Sequence, residues 1–274
     1  MKETVLDTTD LTEFSPFFKT GFGKWLGRIL LHLLSFDKVN RIHANHCHLR
    51  GSAFTSAMLA DPLMNVKYRV HHAERLNNLP KGAFITVSNH PIGSLDGIAL
   101  IDIFASRRAD FKVMVNSMLT KIGAMCDNFI SVTPKTSDDD TTVPQNINGV
   151  RLSLARLKEG HPMGFFPAGA MSFINKKRQI RDLPWAHSVM RLIRKAKAPV
   201  YPVYFDCRNS AFFYLLGKIN WKIRTLRVAC EAFNKCGKTL DIYIGEPIPA
   251  KTIQQYADDV ALGEFLYEKT YATG

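Results

Sequence analysis

The sequence predicts an α/β fold: a largely parallel central sheet flanked by helices, with an N-terminal amphipathic helical segment. Three observations carry this prediction. From residue 83 onward, short apolar runs of four to six residues alternate with stretches of 3.6-residue periodicity, the signature of strands joined by crossover helices. The 274 residues, 46% of them hydrophobic, suffice for one substantial core. No linker, repeat or low-complexity tract divides the chain.

Taken in order, the first element is the stretch from Ser15 to Val39. Phe18, Phe22, Trp25, Leu26, Ile29, Leu30, Leu33 and Phe36 recur there at helical spacing, with Lys24, Arg28 and His32 on the opposite side. The basic residues interrupt it too early for a membrane span. It either caps the core or lies in a membrane interface. The runs AFITV, FKVMV, FISV, GFFP, VYPVYF, LRVAC and LDIYI then read as strands. Between them, SLDGIALIDIFA, QNINGVRLSLARLKEG and WAHSVMRLIRKAK read as helices. The polar stretch SDDDTTVPQN, residues 137–146, reads as a solvated loop.

Charge narrows the choice of partners. The chain has 36 Lys plus Arg against 24 Asp plus Glu, a net of +12. Residues 176–227 hold 13 basic and 2 acidic residues, so a net of +11 sits in one segment. An acidic partner follows: nucleic acid, an anionic membrane surface or an acidic carrier protein. No helix-turn-helix, RNA-binding aromatic motif or zinc finger accompanies the basic segment, which argues against nucleic acid. Five cysteines without regular spacing form no disulfide framework and fit a reducing compartment. HANHCH, residues 43–48, lacks a second ligand pair at zinc spacing and reads as surface histidines. The acidic residues Glu3, Asp7, Asp10 and Glu13 are unlike a signal peptide, so a cytoplasmic location is expected. A second apolar and basic stretch, SAFFYLLGKINWKI, residues 210–223, is either a membrane contact or core packing.

Chemistry concentrates at SNHPIGSLDG, residues 88–97, which ends the AFITV strand and opens a helix. In a parallel sheet, ligands gather at the carboxyl ends of strands. His90 falls there, and Ser94 or Asp96 could cap the helix that follows. A His beside a carboxylate is a general base held in one tautomer, able to take a proton from a hydroxyl without any Ser or Cys nucleophile. A turn histidine with a capping aspartate is the plain alternative. A second strand ends in GFFPAGAMS, residues 164–172, whose Pro-Ala-Gly turn can expose backbone N–H groups to the same mouth. A Gly-x-Ser-x-Gly elbow is absent, which argues against a serine lipase.

SNHPIGSLDG, FFPAGAMS, APVYPVYFDCRNS and IYIGEPI, in that order, resemble the glycerophospholipid and lysophospholipid acyltransferase superfamily, the 1-acyl-glycerol-3-phosphate acyltransferase-like proteins. The blocks cover roughly residues 65–250. Two departures stand out: five residues rather than four separate His90 from Asp96, and Ala168, Ala170 and Met171 replace the usual Glu, Thr and Arg. Both resemble the hemolysin-like branch, which includes O-acyltransferases of ornithine and glycine lipids.

The resemblance implies direct acyl transfer from acyl-ACP or acyl-CoA to the hydroxyl of a lyso-lipid, with no metal and no cofactor beyond that co-substrate. His90 and Asp96 become the catalytic pair. Asn89, Gly93, Gly97, Phe166, Pro167, Ala168, Gly169 and Ser172 become substrate-binding residues, with amides of the first-motif turn or Gly169 serving the oxyanion or the head group. An N-terminal membrane-associating segment, residues 1–64, would precede the acyltransferase domain, residues 65–274. The expected partners are an acyl carrier protein or CoA thioester, a lyso-lipid and an anionic membrane surface, with the protein peripheral or monotopic on the cytoplasmic face. A lyso amino-acid lipid is the expected acceptor, because Met171 cannot meet a phosphate as Arg would. Phosphatidate synthesis, or a catalytically silent lipid-binding scaffold, are the alternatives.

Overall fold

The computed structural model describes residues 3–132 and 143–274. Among the described residues nine strands form two sheets: β1 (Lys67–His71), β2 (Ile85–Ser88), β3 (Lys112–Asn116), β4 (Phe129–Val132), β5 (Met163–Phe165), β6 (Phe173–Ile174), β7 (Ile180–Arg181), β8 (Val200–Asp206) and β9 (Thr239–Ile244). Seven of them make the central sheet in the order β1-β9-β8-β2-β5-β3-β4, while β6 and β7 form a separate antiparallel hairpin. Every neighbouring pair in the central sheet is parallel except β8 and β9. The fold is the expected α/β class.

The helices among the described residues are α1 (Thr8–Phe14), α2 (Gly21–Leu33), α3 (Phe36–His46), α4 (Gly51–Ala60), α5 (Leu95–Ala105), α6 (Val143–Lys158), α7 (His187–Ala196), α8 (Ala211–Ile219), α9 (Trp221–Leu226), α10 (Val228–Phe233), α11 (Ala250–Gln254) and α12 (Asp259–Tyr271). They cover both faces of the sheet because side chains alternate along each strand. Phe84 packs with Phe104 and Phe111 on the face that α4 and α5 cover. Its neighbour Ile85 packs with Met163, Met190 and Leu266 on the face of α6, α7 and α12. Helix α5 lies in that first core with all but one of its eleven residues buried.

Several expectations need correction. LRVAC is not a strand: Leu226 ends α9, and Val228 to Cys230 begin α10. A five-residue apolar run has no periodicity to separate strand from helix, and here the Asn220 side chain starts the helical path by accepting from Lys222 N–H. The N-terminal stretch is not one helix. It opens with a 3₁₀ turn at Pro16–Lys19 and breaks between α2 and α3 at Ser35, whose φ is +63°. The expected loop 137–146 lies outside the described residues up to 142, and from Val143 the chain is α6. Strand β1 had no expectation attached, because Lys67, Arg69 and His71 leave it no apolar run; it is an edge strand, where charge is tolerated.

One consequence of the topology positions the site. Strands β8, β2 and β5 are adjacent and parallel, so their carboxyl ends open side by side. The segments that follow them are residues 89–94, 166–172 and 207–210.

Candidate active site

His90 leaves the end of β2 and turns into α5 through Pro91, Ile92 and Gly93. His90 Nδ1 lies 2.9 Å from Asp96 Oδ2. The same carboxylate oxygen accepts from Ile92 N–H at 3.0 Å and Gly93 N–H at 3.1 Å, while Oδ1 accepts from Gly97 N–H at 3.0 Å. The longer spacing therefore keeps the pair together: the turn wraps around the carboxylate rather than rotating it away. Gly93 makes this possible, with φ at +95° and a Cβ position that would overlap Met171 Sδ. Ser94 stands at the helix start, but its hydroxyl caps nothing and is a buried polar group without a partner among the described residues.

Because Asp96 holds Nδ1, Nε2 is the ring nitrogen left for chemistry. The His90 side chain is 20% exposed and that of Asp96 0%, so a substrate can reach the base but not its orienter. Burial works to lower the His90 pKa, but the Asp96 charge and hydrogen bond outweigh it, Asp182 adds to them, and the imidazole is raised above its ordinary value. Burial works to raise Asp96, yet His90 and the Gly93 and Ile92 amides hold its carboxyl below the usual range. A raised imidazole and a depressed carboxylate describe a pair that stabilises imidazolium.

The third motif follows β5. Phe165 and Phe166 point to opposite faces of the sheet, and the Phe166 ring packs 4.4 Å from the His90 ring, centroid to centroid. Gly97 also packs near the Phe166 ring, its Cβ position 3.9 Å from Cε2. Ser172 N–H donates to the His90 carbonyl at 2.8 Å, which joins the two motifs directly. Pro167 accepts from Ala186 N–H, and Ala168 packs into the core. Gly169 needs correction as an oxyanion donor: its N–H donates to Phe166 O at 3.0 Å and closes the turn, with φ at +63°. The first-motif amides of Ile92, Gly93 and Gly97 are likewise committed, to Asp96. Asn89 spends both ends of its amide on β8, donating to Phe205 O and accepting from Phe205 N–H.

Two residues in the site carry no motif signal. Asp182 is buried and accepts from His90 N–H at 3.2 Å and from the Ser172 hydroxyl. Burial raises its pKa against those bonds and the His90 charge. Its position ten residues after Ser172, across the β6–β7 hairpin, left nothing in the sequence to connect the two. Arg224, also buried, donates from α9 to the carbonyls of Ser172 at 3.2 Å and Met171 at 3.3 Å. Desolvation lowers its pKa. Lys176, Lys177 and Arg178 stand exposed at the turn of the β6–β7 hairpin.

Most of the exposed large apolar residues fall on three helices, α2, α8 and α9. On α2 the small side, Gly23, Gly27 and Leu31, is buried, whereas Phe22, Trp25, Leu26, Ile29 and Leu33 face outward beside the exposed Lys24 and Arg28. On α8 and α9, Phe212, Leu215, Ile219, Trp221, Ile223 and Leu226 are exposed, while Phe213 and Tyr214 enter the core. Cys230 of α10, the helix that follows α9, places its Sγ 3.4 Å from the carbonyl of Leu33 at the end of α2. No helix among the described residues is long and apolar enough to cross a membrane. In HANHCH, His43 is buried rather than on the surface, bonded to Glu3 O, and His46 bonds Asp61.

The family model described as acyltransferase matches residues 11–273. A lyso-glycine lipid O-acyltransferase of Bacteroides thetaiotaomicron is 32% identical over 208 residues, 72% of each chain. Another of that name, from Phocaeicola vulgatus, is 26% identical over 290 aligned positions covering 99% of each chain. With a His–Asp pair at the mouth of a parallel sheet and a family match that spans both motifs and nearly the whole chain, this protein belongs to the acyltransferase family and is an O-acyltransferase.

Proposed function

We propose that this enzyme acylates the hydroxyl of a lyso amino-acid lipid of the lyso-glycine type, with acyl-ACP or acyl-CoA as donor, at an anionic membrane surface. The observation that carries the chemistry is the His90–Asp96 pair, with Nδ1 held at 2.9 Å and Nε2 free at a partly open position. The names of the two relatives support the acceptor.

His90 Nε2 takes the proton of the acceptor hydroxyl as its oxygen attacks the thioester carbonyl. The resulting imidazolium is stabilised by Asp96, whose charge is fixed by four hydrogen bonds and whose pKa lies below the usual range. Collapse of the tetrahedral intermediate expels the thiolate, which takes the proton back from His90. The ester bond formed and the thioester bond broken balance without a redox step or an acyl-enzyme.

The outward apolar faces of α2, α8 and α9, flanked by basic residues, fit an interfacial enzyme whose acceptor resides in the bilayer. The basic segment 176–227 suits an acidic donor as well. The test is acyl transfer by the purified full chain, with a labelled acyl donor and N-(3-hydroxyacyl)glycine in vesicles. His90→Ala should reduce turnover by about 10²- to 10⁴-fold with an unchanged circular dichroism spectrum. Native turnover in that variant would remove the mechanism.

A further inference from the structure

A cleft of about 310 Å³ opens between the ends of β2 and β8, beside the catalytic pair. Asn89 and Pro91, the residues on either side of His90, form one wall together with Ser172. Tyr204, Asp206, Arg208 and Tyr271 contribute to the rest. Nothing in the reaction scheme above uses it.

Its charges are unusual. Arg181 is engaged by the aromatic wall, with its guanidinium 4.4 Å from the Tyr271 ring centre. Arg208 is different: it lines the cleft, is exposed, and has no hydrogen-bonding, ion-pair or ring partner among the described residues. Nor does it reach Asp206, two residues before it, which makes no ion pair of its own among the described residues. An arginine left unpaired at the wall of a cleft offers a planar fork of donors that matches a carboxylate.

We infer that this cleft is the acceptor head-group subsite and that Arg208 receives the acceptor's carboxylate, an inference that rests on the lyso amino-acid lipid reading. Length supports it. In an N-(3-hydroxyacyl)glycine the reacting hydroxyl oxygen and the carboxylate carbon lie roughly 7 Å apart when extended, from ordinary bond lengths. His90 does not itself line the cleft, but Asn89 and Pro91 on either side of it do, which sets the mouth of the cleft one residue, about 3.8 Å of backbone, from the base and within the span of such a head group. Charge supports it too. One free guanidinium with Asp206 on the same wall suits a single negative charge, and Asp206 opposes the second charge of a phosphate monoester. Selection against lysophosphatidate then comes from a segment after β8, in addition to the missing arginine at Met171.

The experiment offers the full chain N-(3-hydroxyacyl)glycine, its methyl ester and lysophosphatidate, with one labelled acyl donor, and measures equilibrium binding of the first two separately. The native enzyme should prefer the acid to the ester. In Arg208→Gln that preference should fall by about 10- to 100-fold, with the loss in KM for the acid, as expected for removing a charge-assisted pair. Binding of the acid should weaken by the same factor. An unchanged acid-to-ester ratio in Arg208→Gln, with the acid still acylated, would overturn the subsite and leave the acceptor assignment standing. Binding of the acid that depends on Arg208, without its acylation, would support the subsite and overturn that assignment. A native preference for lysophosphatidate over the acid would overturn both. Arg208 is exposed, so a matching melting temperature should confirm that the variant is folded.

Discussion

Replacing Asp96 by Asn tests how the carboxylate works, because the side chain keeps its shape and loses only its charge and one acceptor. In the native site Asp96 is wholly buried and accepts four hydrogen bonds, three at Oδ2 and one at Oδ1. An amide can place its oxygen at the first position, but its NH₂ then faces Gly97 N–H, donor against donor. That leaves one bond lost and three without charge assistance, at about 1–3 kcal/mol for the unsatisfied group. The larger effect is on His90. Without the anion, burial remains and favours the neutral ring, so the His90 pKa should fall from above its ordinary value to below it.

The imidazolium formed during proton transfer then loses its counter-charge, at about 1.4 kcal/mol for each tenfold change in its ionisation equilibrium. A fall in kcat of about 10²- to 10³-fold is expected. The acid limb of kcat/KM, which rises with pH as His90 deprotonates, should lie above about 6.5 in the native enzyme and move to lower pH in the variant. The assay is steady-state transfer from a labelled acyl thioester across pH 5 to 9, with thermal melts as the folding control. A variant within about threefold of native kcat, or with its acid limb unmoved, would refute the orienting role.

Three further outcomes follow from the same geometry. Gly93→Ala should lose at least about tenfold in turnover, because an L side chain at φ +95° costs roughly 1–3 kcal/mol, and Met171→Ala should not restore it; rescue in the double variant would place the problem in the Met171 contact instead. Trp25→Glu combined with Ile29→Glu should weaken flotation with anionic vesicles by about tenfold or more while the melting temperature holds, since both side chains already face outward; unchanged flotation would remove α2 from the membrane contact. Native stability should fall as acid titrates Asp96, because its depressed pKa gives a contribution present above about 3.8 and lost as pH falls toward the folded value. Asp96→Asn should flatten that part of the melting curve against pH, and an identical curve would show that other carboxylates set it.

The His90–Asp96 pair, the alternation of strand and helix, and the third motif were legible in the amino-acid sequence because each is local. An apolar run that ends in a polar turn marks a strand end, and six residues of chain suffice to bring a carboxylate back to an imidazole. The departures at Ala168 and Met171 could be read in the same way. Gly93 announced a backbone conformation that its neighbours could not adopt.

What tertiary structure alone decided is everything that joins distant segments. Asp182 reaches His90 and Ser172 across a hairpin, and Arg224 reaches the same turn from α9. Arg208 lines a cleft beside His90 only because β8 pairs with β2. On α2, sequence periodicity identified an apolar face but not what it meets: Gly23 and Gly27 allow close packing on the opposite side, so the small residues turn inward and the large apolar ones outward. Amphipathic periodicity is a property of one helix, whereas the choice of the buried face depends on the shape of the surface it packs against.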